Sequence, residues 1–295
     1  MKNYKGTGVA LVTPFNSDKS IDYESLQKLV EYVINGGVDY LVVMGTTAEN
    51  PTLNSIEKQS VIKFIVEKNN KRVPIVLGVG GYDTNAVIEN IKQVNVNEID
   101  AILSVTPYYN KPNQNGLYEH FSAITKNSPL PIILYNVPGR TGVNISASTT
   151  LNLAKNFNNI IAIKEASGNI EQIMEIIEKK PIGFEVISGD DRLTLPLVSV
   201  GAIGVISVVA NALPKDYSNM VKLSLEGKFL EAKKLHYKLL EFNRLIFAEG
   251  SPAGVKCALK KLNIIKNYLR LPLVPVSDEL SMKIENILKK SNIKL

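Results

Sequence analysis

Eight short runs rich in β-branched and aromatic residues recur along this chain, and this recurrence constrains the fold more than any other feature. They read "GVALVTPF", "YLVVMGTT", "VPIVLGVG", "AILSVTPYY", "PIILYNVP", "IIAIKEAS", "FEVISGDD" and "AIGVISVVAN", each set off by Gly, Pro, Asn or Asp. Segments with helical spacing lie between them. In "DYESLQKLVEYVINGG" the residues Leu26, Leu29, Val30 and Val33 share one face, and in "SIEKQSVIKFIVEKNN" Ile56, Val61, Ile62 and Ile65 are expected to do the same. Eight strands alternating with helices predict an α/β fold, a closed (β/α)8 TIM barrel. An open doubly wound sheet normally has fewer strands and a glycine-rich nucleotide turn after the first. Here the first run ends in "TPFN" instead.

The strand pattern stops near residue 213, and consecutive helices with breaks near Gly227 and Pro252 follow. A Pro-punctuated "LRLPLVPVS" reads as an extended connector, and a last helix is expected from about Asp278 to Lys290. The expected organisation is a catalytic barrel over 1–222 and a C-terminal helical region over 223–295, packed closely because no flexible linker separates them. The N-terminal "MKNYKGTGVALVTPFNSDK" reads as a first strand, since its apolar run contains Thr13 and Pro14 and lacks a small-residue cleavage pattern. No run approaches the length of a membrane helix, so no membrane partner is expected. The formal charge of +6 comes from lysines scattered along helices, read as solvated faces, which argues against nucleic acid. Cys257 is the one cysteine, expected to be small and buried, and the chain fits a reducing cytoplasm.

Barrels of this kind gather their chemistry at the carboxyl ends of the strands. Those ends carry Thr46 and Thr47, Tyr108 and Tyr109, Tyr135 with Arg140 beyond it, Lys164, and Asp190 with Asp191 after Gly189. Lys164 is the anomaly, because it closes a run otherwise fit for a strand covered on both faces. It is either ion-paired with Glu165 or a rim aspartate, or it is an amine desolvated enough to attack a carbonyl. Imine formation also needs proton transfer at a carbinolamine oxygen, which phenols hydrogen-bonded to a threonine can relay. Tyr135, Thr46 and Tyr109 suit that task.

Other chemistries lack parts. His120 and His236 both fall in helical segments and read as helix-surface residues, so neither a histidine metal site nor a Ser-His-Asp relay is expected. "GVGGY" at 78 to 82 has no following Gly-Lys-Ser/Thr and reads as a strand-end turn. "SGDD" at 188 to 191 reads as loop structure and helix capping, with Gly189 permitting close backbone approach to a ligand.

Taken in order, "GTTAEN", "TPYYNKP", "YNVPGRTG", "IKEASGN", "SGDD" and "GVISV" resemble the dihydrodipicolinate synthase family, within the N-acetylneuraminate lyase superfamily of class I pyruvate aldolases, over essentially the whole chain. The resemblance implies a pyruvate Schiff base on Lys164, with no cofactor and no metal. The enamine so formed attacks aspartate semialdehyde. It implies proton shuttling at Tyr135 and a relay through Thr46 and Tyr109, the latter reaching into a neighbouring subunit. It further implies pyruvate carboxylate binding at Thr47, aldehyde carboxylate binding at Arg140, a pocket lined near Gly189 and Ile206, and a homotetramer built as two dimers. A sugar-acid lyase shares the lysine and tyrosine, but would need hydroxyl-reading groups where this sequence has "PGRTG"; a non-catalytic keto-acid-binding barrel would have shed these reactive residues.

One departure concerns regulation. Lysine-inhibited members of the family carry histidines, an asparagine and a glutamate where this chain has Ser55, Lys58, Tyr82 and Ala86, and only Tyr108 is retained. A cationic Lys58 without that glutamate opposes binding of free lysine, so an enzyme insensitive to lysine is expected. Ala48, where the family commonly has Gly, and Asn50 are smaller departures.

Overall fold

Each of the eight β-rich runs forms one strand, in a computed structural model that describes residues 4–290. The strands are β1 (Gly6–Ala10), β2 (Tyr40–Val43), β3 (Ile75–Gly78), β4 (Ala101–Val105), β5 (Ile132–Asn136), β6 (Ile160–Glu165), β7 (Glu185–Ser188) and β8 (Gly204–Ser207). All pairings are parallel, and β8 closes onto β1 to give a barrel in sequence order. The (β/α)8 expectation therefore holds. Strand residues divide between two apolar clusters: Val42, Leu103, Ile133, Ala162 and Ile187 fill the barrel, while Leu41, Ile102, Leu134, Ile163 and Val186 meet the helices. That two-sided burial is why the runs lack polar alternation. Tyr40 closes the amino-terminal end of the barrel, edge-on to Tyr4 at 5.5 Å. Only glycine fits opposite it, since a Cβ on Gly8 would lie 2.2 Å from the Tyr40 ring.

The helices are α1 (Tyr23–Asn35), α2 (Ser55–Asn69), α3 (Thr84–Lys92), α4 (Gln114–Asn127), the single turn α5 (Pro138–Thr141), α6 (Ala147–Asn156), α7 (Ile170–Lys179), α8 (Thr194–Ser199), α9 (Pro214–Leu225), α10 (Phe229–Phe247), α11 (Ala253–Lys261) and α12 (Asp278–Lys290). Side-chain N-caps start most of the barrel helices: Asp22 accepts from the amide of Ser25, and Asn54 and Glu57 form a reciprocal capping box. The buried face of α1 is Leu26, Leu29, Val30 and Val33, as its spacing predicts. In α2 the expectation fails at Ile56, which is 74% exposed, whereas Val61 and Ile65 are buried. Ile56 stands five positions before Val61, roughly 140° round a helix of about 3.6 residues per turn, so it points away from the barrel.

The helices α10, α11 and α12 lay Leu239, Phe242, Ile246, Val255, Leu259, Ile284 and Leu288 into the same apolar cluster as the outer face of the barrel. The boundary expected at 222/223 lies within α9, which packs against β1. Cys257 is free and buried. His120 corrects the sequence reading: it is 5% exposed, its Nδ1 lies 2.8 Å from Thr84 Oγ1, and burial pushes its pKa down to about 4. It sits where α4 packs on α3, so its helix position placed it inward. Among the described residues no helix is long and apolar enough to cross a membrane.

Candidate active site

A one-residue irregularity sets the site. Ile132 pairs with Ile160, but Ile133 pairs with Ala162, so β6 contains one extra residue at Ile161. Without it Tyr135 would oppose Ile163; with it Tyr135 opposes Lys164. Both side chains face the barrel interior, and Lys164 Nζ lies 4.1 Å from the centroid of the Tyr135 ring. Lys164 is 6% exposed and Tyr135 7% exposed.

Of the two readings of Lys164, the ion pair is absent among the described residues. Glu165 points to the opposite face of β6, where it accepts from Asn136, Gln172 and Ser167. Asp190 is paired with Arg192 at 3.3 Å. Asp191 is buried, accepting from the Ser207 hydroxyl and, at 3.0 Å, from the amide of Val208. These contacts tie β7 to the end of β8. They also correct the capping expectation for "SGDD", because α8 starts without a side-chain cap, Asp190 bonding instead to the amide of Arg192 at 2.8 Å. Among the described residues no cluster of His, Cys, Asp or Glu could hold a metal ion.

Lys164 stands at the seam between two lobes of one mouth, of about 250 and 180 Å³. Thr46, Thr47, Tyr135, Val137, Arg140 and Lys164 line both. One lobe has an apolar floor of Val42, Leu103 and Val105 and a wall that includes Tyr108. The other is polar, bounded by Gly189, Asp190, Asp191 and Ser251. Gly189 approaches as its residue type predicts: a Cβ there would lie 3.0 Å from Lys164 Cε and 2.7 Å from Ala166 Cβ. "GVGGY" leads off the end of β3 as irregular chain, with Gly78 and Gly80 in the cavity wall.

The loop bearing Thr46 and Thr47 is pinned from two sides. Thr13 Oγ1 donates to Ala48 O at 2.7 Å, and Glu49, held in a left-handed conformation at φ 55°, buries its carboxylate against Lys256 of α11. Arg140 rides on α5, directly after β5, and is exposed, the only hydrogen bond of its side chain among the described residues a 3.5 Å contact to Ser251 O. Its guanidinium fork is thus open to a bidentate anion.

Two predicted residues lie outside the lining. Tyr109, expected to reach into a neighbouring subunit, is 86% exposed at φ 71° and lines neither lobe; Tyr108 occupies the wall, stacked edge-on against Tyr82 at 5.4 Å. Ile206 is 1% exposed and belongs to the interior cluster, below the lining residues. Among the described residues no hydrogen bond joins the hydroxyls of Tyr135, Thr46 and Tyr109, so the chain by itself gathers part of the expected relay without linking it. Sequence reasoning missed the wall contributed by Phe247 and Ser251. It also missed the buried Glu49–Lys256 pair, for which "GTTAEN" and "PAGVKCALK" contain no local signal.

Comparison with known proteins agrees with this fold. The sequence pattern describing the dihydrodipicolinate synthetase family matches residues 3–291. A 4-hydroxy-tetrahydrodipicolinate synthase from Parabacteroides distasonis is 54% identical over 292 residues, 99% of this chain and 98% of that protein. Among solved structures, dihydrodipicolinate synthase from Aquifex aeolicus superposes with a TM-score of 0.95 at 40% identity, covering 99% of each chain. The chloride-inhibited enzyme from Acinetobacter baumannii, complexed with pyruvate, superposes at 0.96 with 41% identity over 99% of this chain and 100% of that one.

Proposed function

Because the chain belongs to the dihydrodipicolinate synthetase family, we propose that the two-lobed mouth at Lys164 is the site of the family's condensation. The protein is a class I aldolase-type lyase that joins pyruvate to L-aspartate 4-semialdehyde, giving 4-hydroxy-tetrahydrodipicolinate on the diaminopimelate route to lysine. The observation that carries the site assignment is the Lys164 amine, buried in the barrel against the Tyr135 ring and, among the described residues, without a carboxylate partner.

The amine of Lys164 adds to the pyruvate carbonyl, and the carbinolamine loses water to give an imine. Loss of a methyl proton then yields an enamine, whose carbon attacks the aldehyde. Tyr135 moves protons at the carbinolamine and alkoxide oxygens, with Thr46 beside it. Thr47 receives the pyruvate carboxylate, and the backbone near Gly189 and above Ile206 shapes the pocket. Arg140 clamps the carboxylate of the aldehyde substrate. The substrate's own amine finally displaces Lys164 and closes the ring. No cofactor is required, because pyruvate itself is the covalent group. Tyr109, exposed and held at positive φ, is assigned to the neighbouring subunit's relay within a homotetramer of two dimers. In this reading 1–222 is the catalytic barrel and 223–295 the helical region packed on it, in an enzyme of the cytoplasm.

Borohydride trapping tests the assignment: pyruvate should be fixed on Lys164 by peptide mass, and condensation should occur with the semialdehyde and not with N-acetylmannosamine. Arg140→Ala should split the two half-reactions. Loss of a charge-assisted contact should lower kcat/KM for the semialdehyde about 10- to 100-fold, while pyruvate trapping stays within about twofold. Equal loss in both would make Arg140 structural. Free lysine at about 1 mM should leave the rate unchanged, because Ser55, Tyr82 and Ala86 are exposed and Lys58 adds like charge. Inhibition at sub-millimolar lysine, read in a dose curve, would overturn that expectation.

A further inference from the structure

On the outer face of the β5 and β6 ends, directly behind the reactive pair, lies a polar cluster that the condensation does not use. Glu165 is fully buried and, among the described residues, has no cationic partner. Asn136 Nδ2 and Gln172 Nε2 donate to its Oε1 at 2.9 and 3.0 Å; the Ser167 amide and hydroxyl donate to its Oε2 at 3.2 and 2.7 Å. Every contact is a donation, which an acceptor-only carboxylate satisfies and an amide does not. A buried group this expensive needs a reason in place.

The partners are themselves placed at the site. Asn136 opposes Glu165 across the strands one position beyond the Tyr135–Lys164 pair, on the opposite face. Asn136 also donates to Asn144 Oδ1 at 2.8 Å and accepts from the Ile145 amide at 3.2 Å. Asn144 and Ile145 end the loop that carries Arg140, and Gln172 of α7 bonds to both of them. The backbone carbonyl of Glu165 accepts from Gly189 at 2.6 Å. One side chain therefore fastens the strand of the nucleophile, the strand of the proton shuttle and the loop of the carboxylate clamp.

We propose that Glu165, with Asn136 and Gln172, is a positioning residue that holds Lys164, Tyr135 and the Arg140 loop in reacting register, a role that rests on the Schiff-base reading of Lys164. The strand bulge at Ile161 makes such a fastening necessary. A one-residue slip of β6 would put Ile163 beside Tyr135, and the Asn136–Glu165 bond forms only in the bulged register.

The test uses the full-length protein with Glu165→Gln, Gln172→Leu and the double exchange Glu165→Gln/Gln172→Glu. In Glu165→Gln an amide N–H₂ faces the donors of Asn136 or Ser167, and loosened register should cut kcat and the borohydride-trapping rate by about 10- to 100-fold. Gln172→Leu deletes one donor at a half-buried helix position, and should cost severalfold at an unchanged far-UV spectrum. The double exchange returns a donor–acceptor pair between β6 and α7 and should recover part of the rate. A lowered melting temperature with kcat, KM and trapping rate within about twofold of the parent, assayed well below melting, would reduce Glu165 to a structural residue. Should Glu165→Gln not fold, Gln172→Leu decides alone by the same criterion. If the unsubstituted protein fixes pyruvate at a residue other than Lys164, the site assignment itself fails, and this role with it.

Discussion

Lys164→Ala should abolish the borohydride-trapped pyruvate adduct and lower kcat for condensation by about 10⁴-fold, at a melting temperature equal to or above that of the parent. The two halves of this result come from one feature. The amine is 6% exposed and has no ionic partner among the described residues, so its removal strands no buried charge. Burying a polar amine costs free energy that burying alanine does not, and the interior neighbours of Lys164, such as Ala162 and Ile187, are apolar. A structural lysine would behave in the opposite way, with activity persisting and stability falling. Differential calorimetry beside a trapping assay therefore separates the readings in one variant. Condensation persisting at an undiminished rate would show that the nucleophile lies elsewhere.

What the sequence reveals about this site follows physical distance. Strands announce themselves by composition because each is buried on both faces, and all eight runs contain a strand. Lys164 is conspicuous for the same reason. The pairing of Tyr135 with Lys164 is not legible, since it depends on an extra residue at Ile161 in a run whose four apolar residues give no phase. Tyr108 and Tyr109 are adjacent and chemically identical. Only the positive φ at Tyr109 sends one outward while the other lines the cavity. Glu165 reads as a partner for its neighbour because adjacent residues suggest contact, yet in a strand they face opposite sides. His120 reads as a surface residue from helix position alone, which cannot tell an outer helix face from one roofed by another helix, and the same blindness hides the burial of Lys256.

The roofed lysine leads to the second large effect. Lys256→Met should destabilise the fold by about 3–5 kcal/mol, because it leaves the Glu49 carboxylate buried with the amide of Arg270, at 3.0 Å, as its remaining hydrogen-bond donor among the described residues. Both side chains of the pair are inaccessible. Lys256 also donates to Tyr268 O at 2.9 Å and sits 4.3 Å from the Phe15 ring centroid. Burial pulls its ammonium down to about 8 although Glu49 opposes the shift, so the pair resists being taken out of water. A bridge of this kind contributes little net stability over well-packed apolar residues, and its effect on geometry is the larger one. In Glu49→Leu/Lys256→Met most of the lost stability should return, giving a large coupling in a double-mutant cycle read by urea denaturation. Activity should not return with it. Glu49 is two residues from Thr47, and its carboxylate is the tie between the loop of Thr46 and Thr47 and helix α11. The refolded double variant should therefore show a raised KM for pyruvate while the KM for the semialdehyde, whose carboxylate we propose Arg140 to hold, changes less. Recovery of both stability and pyruvate KM in the double variant would mean that the C-terminal helices merely cover the barrel and do not hold its threonine loop in place.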